Sequence, residues 1–353
     1  IAGRTNRLVV GGFYERNDLT RGGAPADYPT ADLSVSLLNP VQTTGPGDPN
    51  RFQKGSRIAI QTGALYLENA LDLTASLKLI VGLRRDEINL QRDTLLTPTT
   101  AFATYRKRYD PWTGRGGFVW SVTKDLNLYA SYSRAAEPTT QLVSFNASSN
   151  DFALQTGLQY EIGAKGTLGR HVDFTLALFD IEKNNILSST LDPLTGLRLS
   201  QQIGAQNSRG VEFAVAFLPS PTWRVELNAA WTDAWYGEFA QNLGAGIIDR
   251  TGNTPTNVPE WVGGLFVHKR LPAGFAVNAG LRHVGDRFAT IHNAVITDGY
   301  TTLDAGVSYT RGRTIYTLRG RNLTDEVYQP VAGSTMARLG EPRNVELSVR
   351  TRF

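Results

Sequence analysis

The sequence predicts an all-β chain: a transmembrane antiparallel up-and-down β-barrel of the bacterial outer-membrane kind, with about fourteen strands present. Three observations carry this. First, the closing segment Arg343 to Phe353 alternates with period two. Val345, Leu347, Val349 and Phe353 fall on one face, and Asn344, Glu346, Ser348, Arg350 and Arg352 on the other. That is a strand with one apolar and one polar side, ending on an aromatic. Second, the chain is polar, with mean hydropathy −0.24. It contains no apolar run of the roughly 18 residues that a spanning helix needs. Third, long and short connections alternate along the whole chain.

Composition agrees. In a barrel only alternate residues meet lipid, so hydropathy averages out. Thirteen Tyr, 15 Phe and 6 Trp supply material for interfacial aromatic belts. Thirty-five Gly suit tight turns and close strand approach. The absence of Cys excludes disulfides and thiolate metal sites. The net charge of +4 is modest and spread through the strands, so no nucleic-acid surface is expected.

Strands are expected near 6–17, 56–69, 73–89, 113–122, 126–136, 157–168, 171–187, 204–218, 222–236, 259–270, 275–289, 298–310, 314–325 and 343–353. In 73–89, Leu77, Leu79, Val81 and Leu83 oppose Lys78 and Arg84. In 204–218, Val211, Phe213, Val215 and Phe217 oppose Glu212, Ala214 and Ala216. Trp223, Val225, Leu227, Ala229 and Trp231 oppose Arg224, Glu226, Asn228 and Thr232 in 222–236. In 298–310, Leu303, Ala305, Val307 and Tyr309 oppose Asp304, Gly306 and Ser308. A tilted strand of about 9–11 residues crosses a membrane, so these are long enough to project beyond it.

Short connections are expected at 70–72, 123–125, 169–170, 219–221, 271–274 and 311–313. Longer ones are expected at 18–55, 90–112, 137–156, 188–203, 237–258, 290–297 and 326–342. Short turns on the inner side of the membrane and long loops outside is the outer-membrane rhythm. A sandwich with Greek-key connections has no reason to keep it. A propeller would show a repeat of roughly 40–50 residues, and none is found. The alternation puts the C-terminal strand end and the start of the first strand on the short-turn side. Ile1-Ala2-Gly3-Arg4 is neither a Met start nor a signal peptide, so the chain reads as a piece of something longer.

Several segments, in order, resemble the C-terminal part of a TonB-dependent outer-membrane receptor of the ferric-siderophore type. Tyr129-Ala130-Ser131-Tyr132-Ser133 has the style of that family's strands. Tyr160-Glu161-Ile162-Gly163-Ala164-Lys165-Gly166 and the following Leu176 to Ile186 resemble two consecutive family strands. Ser208-Arg209-Gly210-Val211-Glu212 resembles the next, and Asn257-Val258-Pro259 a strand entry. Val284-Gly285-Asp286-Arg287, Asn293 and Gly299-Tyr300-Thr301-Thr302-Leu303-Asp304 resemble the siderophore branch. Arg321-Asn322-Leu323-Thr324-Asp325-Glu326-Val327-Tyr328 and Gly340-Glu341-Pro342-Arg343 resemble the family's closing motifs.

The resemblance implies a plugged barrel of roughly 22 strands, of which residues 1–353 would be the C-terminal portion, without the plug domain. It implies uptake of a ferric siderophore as transported ligand, with no resident cofactor and no catalytic centre. The implied partners are the TonB complex through the missing plug region, outer-membrane lipid and the barrel-assembly machinery. The last strand, with Val345, Leu347, Val349 and Phe353, would carry the assembly signal.

Siderophore contacts are expected from aromatics and Arg on outer loops. Tyr105, Arg106, Tyr109 and Trp112 are expected on one long loop, and Trp235, Tyr236 and Phe239 at another. Trp112, Trp235 and Tyr236 equally suit a girdle at strand ends. Lys78, Arg84, Glu161, Lys165, Glu212, Arg224, Glu226, Arg282 and Arg319 are expected to face the lumen or plug, pairing across strands. His171, His268, His283 and His292 have no metal-ligand spacing. Asp249 to Asn253 reads as a polar turn. Two alternatives stand beside the receptor: a plugless passive pore, and an outer-membrane lipid hydrolase, which would need a Ser–His pair and for which no nucleophile motif appears.

Overall fold

Alternating sequence becomes a single antiparallel meander. The computed structural model describes residues 5–23, 53–94, 101–137, 152–191, 198–242, 246–333 and 337–352. Its strands are β1 (Asn6–Gly23), β2 (Gln53–Asp72), β3 (Leu77–Thr94), β4 (Ala103–Tyr109), β5 (Trp112–Thr123), β6 (Leu126–Glu137) and β7 (Gln155–Leu168). Then follow β8 (Val172–Leu191), β9 (Arg198–Phe217), β10 (Trp223–Glu238), β11 (Ala240–Asn242), β12 (Ile247–Asp249), β13 (Trp261–Arg270) and β14 (Phe275–Val284). The last are β15 (Arg287–Phe288), β16 (Ile296–Thr297), β17 (Tyr300–Arg311), β18 (Thr314–Arg321), β19 (Val331–Ala332), β20 (Ala337–Arg338) and β21 (Asn344–Thr351). The large sheet runs β1-β2-β3-β5-β6-β7-β8-β9-β10-β13-β14-β17-β18-β21, with β4 also on β3. Every neighbour in it is a sequence neighbour among the long strands, which is the expected up-and-down order. β1 and β21 are its two unpaired edges. The pairs β11–β12, β15–β16 and β19–β20 are small hairpins within the long connections.

Two expected loops are corrections: within 188–203, β8 continues to Leu191 and β9 begins at Arg198, with Ser188 pairing Gln201, and the other is 90–112. Residues 90–112 do not form a long loop: β3 continues to Thr94 and β4 returns on it from Ala103. The pairs Arg85–Trp112 and Ile88–Tyr109 lie in one register, so β4 and β5 are a single strand broken at Asp110-Pro111. Pro111 has no N–H to give the ladder, yet its carbonyl still accepts from Asp86 N at 3.1 Å. The expected strand 275–289 likewise ends early, at Val284, and 314–325 ends at Arg321. Asn322 and Asp325 take positive φ (46° and 59°), which Asn and Asp tolerate and a strand does not. Much of the other expected long loops, and Phe353, lie outside the described residues.

The two faces differ as the alternation requires. On the outer face Leu65, Leu83, Phe118, Ile162, Leu178, Phe213, Leu227, Leu281, Leu318 and Leu347 are all exposed. Nothing among the described residues covers them, and an exposed apolar surface this large is one that meets a membrane or another apolar partner. Aromatics bracket this belt. Trp120 and Trp112 stand eight residues apart along the outer face, as do Trp223 and Trp231. Eight residues rise about 26 Å along a strand, or about 20 Å at a tilt of about 40°, close to the roughly 25 Å apolar band of an outer-membrane barrel. Trp231 pairs directly with Trp261, and its indole N–H donates to Glu260 at 2.8 Å. An apolar ring with a hydrogen-bonded tip suits a membrane–water boundary.

Candidate functional site

The candidate site is the inner face of the sheet. Register carries one face from strand to strand: Lys78 pairs with Val119, Val119 with Tyr129, Tyr129 with Gly163, Gly163 with Ala177 and Ala177 with Glu212. It continues from Glu212 to Ala230, Val262, Val284 and Tyr300. Directly paired residues share a face and successive residues alternate. Lys78, Arg84, Glu161, Lys165, Glu212, Arg224, Glu226, Arg282 and Arg319 therefore all line one wall. Val345, Leu347 and Val349 lie on the other.

Some of these charges pair along their own strand and others across to the next strand. Arg84 binds Asp86, and Arg224 binds Glu226, two residues along the same strand. Residues i and i+2 share a face, so one strand can satisfy itself. Lys78 reaches Asp72 at 3.4 Å. Cross-strand contacts join Arg115 to Glu68 and Tyr129 to Glu161, the phenol donating at 2.7 Å. Arg115 and Glu68 were not singled out in the sequence, though their parity matches the others. Lys165, Arg282 and Arg319 make no ion pair or hydrogen bond among the described residues.

Three inner-face aromatics each lie over a directly paired glycine: Tyr66 over Gly11, Tyr129 over Gly163 and Phe179 over Gly210. A methyl on Gly163 would sit 2.5 Å from the Tyr129 ring and 2.5 Å from the Leu176 carbonyl oxygen. The glycines of two recognised motifs thus exist to seat a ring from the next strand.

The aromatic and Arg candidates separate. Tyr105, Arg106 and Tyr109 are in β4 and Trp112 opens β5, so these are strand residues. Tyr105 and Tyr109 are on the inner face. Tyr109 is buried against Ile88, Leu90 and Leu154, and donates its hydroxyl to Phe152 O at 2.9 Å. Arg106 and Trp112 are on the outer face. Arg106 donates to Gln91 at 3.1 Å, and the Arg85 guanidinium lies 5.4 Å from the Trp112 ring. Trp235 is outer too, under Arg209 at 5.2 Å. Tyr236 and Phe239 are buried edge-to-face, centroids 4.8 Å apart, against Ile186 and Ile291. Burial pushes the phenols of Tyr109 and Tyr236 above their ordinary value, and for Tyr236 a backbone hydrogen bond with Thr256 opposes this.

The remaining motifs stitch the long connections to one another. Asn257 exchanges hydrogen bonds with Ala332, donating at 2.9 Å and accepting at 3.0 Å. Asn293 does the same with Thr254. Arg287 is 4% exposed, donates to Pro330 O and Gln329 O at 2.8 Å each, and lies 5.5 Å from the Tyr300 ring. Tyr300 stacks on Tyr328 at 4.2 Å, and Gly340 leaves room for the Tyr328 ring. Asn322 is 3% exposed; it donates to Glu326 O and Glu341 O and accepts from Glu326 N, while Arg343 pairs with Asp325 at 3.1 Å. The sequence-distant closing motifs interlock as one cap at the long-loop end.

A family profile described as TonB dependent receptor-like, beta-barrel matches residues 2–323. The chain belongs to this family. It is a receptor barrel of the bacterial outer membrane. It is 23% identical over 308 residues to the probable TonB-dependent siderophore receptor PiuA of Acinetobacter baumannii, covering 83% of this chain and 41% of that protein. It is 31% identical over 219 residues to the ferrichrome outer membrane transporter/phage receptor of Escherichia coli, covering 60% of this chain and 27% of that one. The chain thus spans less than half the length of these relatives. The crystal structure of the A. baumannii siderophore receptor PiuA superimposes with a TM-score of 0.85 at 23% identity, over 99% of this chain and 53% of that one. The closed form of the E. coli ferric-catecholate import receptor Fiu gives 0.80 at 22%, over 99% and 52%. At these identities the structures establish the fold.

Proposed function

We propose that this receptor barrel is the C-terminal portion of an outer-membrane transporter for ferric siderophores, energised by TonB through a plug that occupies the lumen. The observation that carries the reading is a charged inner wall spanning the height of a lipid-facing apolar belt. Relatives named as siderophore receptors, on both sequence and fold, support it. The free edges of β1 and β21 support the partial-barrel reading. Unpaired strand edges in hydrocarbon cost several kcal/mol per group, so further strands join them in the whole receptor. The iron arrives already held by its chelator, as cargo, and the protein needs no metal ligand of its own. Lipid contacts the outer belt, and the assembly machinery reads the last strand.

The test is uptake of iron-55 supplied as siderophore complexes, by cells expressing the complete gene product. Accumulation is expected to require TonB. Uptake that persists without TonB would instead support the passive-pore reading.

A further inference from the structure

The short-turn rim of the sheet is not uniform in charge. Its first three turns are balanced: Lys78 meets Asp72, Lys124 stands beside Asp125, and Arg170 is followed by Asp173. Over β13, β14, β17, β18 and β21 the rim carries Lys269, Arg270, Arg311, Arg313, Arg350 and Arg352, and no Asp or Glu. The two carboxylates on these strands stand well above it. Asp304 is seven residues up β17 from Arg311, and Glu346 is four residues up β21 from Arg350. Those offsets are about 23 Å and about 13 Å, both beyond the screening length of about 10 Å at 0.1 M salt. Glu226 on the neighbouring β10 is already bound by Arg224.

Three of the six cations border the outer face. Lys269 pairs with Trp223 and Val277, and Arg311 with Thr314, all of outer-face parity. Arg313 stands in the turn that follows Arg311. Arg311 and Arg313 are exposed, and their side chains make no ion pair or hydrogen bond among the described residues. Arg270, on the inner face, donates to the Pro221 carbonyl instead. The Lys269 ammonium lies 4.5 Å from the Trp223 ring. An aromatic row continues across the next strands: Phe275 stacks on Tyr309 at 4.6 Å, and Tyr309 on Tyr316 at 6.3 Å. Above this row Val277, Val307 and Leu318 are exposed as well. The occupant of such a surface has a negative head and an apolar body, which favours a lipid over an acidic protein segment.

We propose that this sector of the rim is a docking site for an anionic phospholipid of the periplasmic leaflet. Its phosphodiester meets Lys269, Arg311 and Arg313, and its acyl chains lie on the outer face of β13 to β18. The site rests on the reading that the outer face meets lipid, and it is independent of the cargo.

Trp223 is a native reporter, because it faces outward and lies against Lys269. The complete receptor is reconstituted in phosphatidylcholine vesicles at low salt. These are doped, at equal mole fraction, with phosphatidylglycerol or phosphatidylcholine brominated near the headgroup end of the chains. The Trp223 signal is the fluorescence that Trp223→Phe removes. A basic residue at an anionic membrane surface is worth roughly a fivefold preference. Brominated phosphatidylglycerol is therefore expected to quench this signal roughly fivefold more strongly than brominated phosphatidylcholine, and high salt should reduce the excess. Lys269→Gln with Arg311→Gln and Arg313→Gln should abolish the preference, while Lys124→Gln, in a balanced turn, leaves it intact. The ratio of the two lipids is taken within each variant, so a change in the surroundings of Trp223 cancels. A wild-type receptor without the preference overturns the proposal, as does a preference that survives the triple variant. Quenching by neither lipid also overturns it, because protein then covers this rim. The fluorescence that Trp231→Phe removes, at the other end of the outer face, separates the two readings. If both lipids quench it, the outer face lies in lipid and only the site has failed; if neither does, the lipid-facing reading has failed as well.

Discussion

Gly163→Ala is the sharpest test of how the inner wall is built. The Tyr129 ring lies over Gly163 on the paired strand, and its hydroxyl donates to Glu161 at 2.7 Å. An added Cβ would stand 2.5 Å from the ring, against an ordinary contact of 3.4–4 Å. The ring must then move by about 1 Å, enough to weaken or lose its hydrogen bond, since contact energies fall steeply over such distances. The Leu176 carbonyl, also 2.5 Å away, is backbone and cannot swing aside. Overpacking of this kind costs about 1–3 kcal/mol. The Tyr–carboxylate bond is partly solvated, so its loss adds no more than about 1 kcal/mol. The expected total is about 1–4 kcal/mol, read as a lower urea midpoint for the receptor refolded in vesicles, followed by tryptophan fluorescence. In a Tyr129→Ala background, Gly163→Ala should cost at least about 1 kcal/mol less, because the ring is gone and only the Leu176 clash remains. An unchanged midpoint for the single variant, or strict additivity in the double, would refute the claim that this glycine exists to seat the ring.

Other expectations follow from the same geometry. Leu227 lies midway between Trp223 and Trp231 on the lipid face, so Leu227→Arg should cost about 2–4 kcal/mol and reduce the heat-modifiable folded form on gels. Asn228→Arg, one residue on but facing the lumen, should stay within about 0.5 kcal/mol, and equal effects would contradict the face assignment. Asn322→Ala strips partners from Glu326 N and the Glu326 and Glu341 carbonyls, each worth about 1–3 kcal/mol if left buried. Trypsin should then cut after Arg338 or Arg343 in intact cells far sooner than in wild type, and unchanged protection would show that the cap does not depend on Asn322. Tyr236, outside the apolar band, holds its proton more tightly folded than unfolded. The folded state therefore binds the extra proton above the ordinary phenol value of about 10, and stability falls as pH rises through that window. Ultraviolet titration of Tyr236→Phe against wild type should remove one late-titrating phenol; loss of an ordinary one would count against its burial.

Much of the architecture was legible in sequence because alternation, turn spacing and strand length are local properties. Polar–apolar parity placed Lys78, Arg84, Glu161, Lys165, Glu212, Arg224, Glu226, Arg282 and Arg319 on one face of the sheet, and pairing preserves parity from strand to strand. The loop at 90–112 was misread because Pro111, with polar and charged residues around it, has the composition of a loop; only the partner strand β3 reveals that the register runs through the break. Sequence also offered aromatics near strand ends as ligand contacts without saying which way each pointed. The fold divides them, burying Tyr109, Tyr236 and Phe239 inside and setting Trp112 and Trp235 on the lipid side. The recognised motifs were readable as letters, but their purpose was not. That Gly163 seats Tyr129 and that Gly340 makes room for Tyr328 are facts of neighbours the fold brings together. Local patterning fixes which residues face together; only strand pairing decides which of them touch.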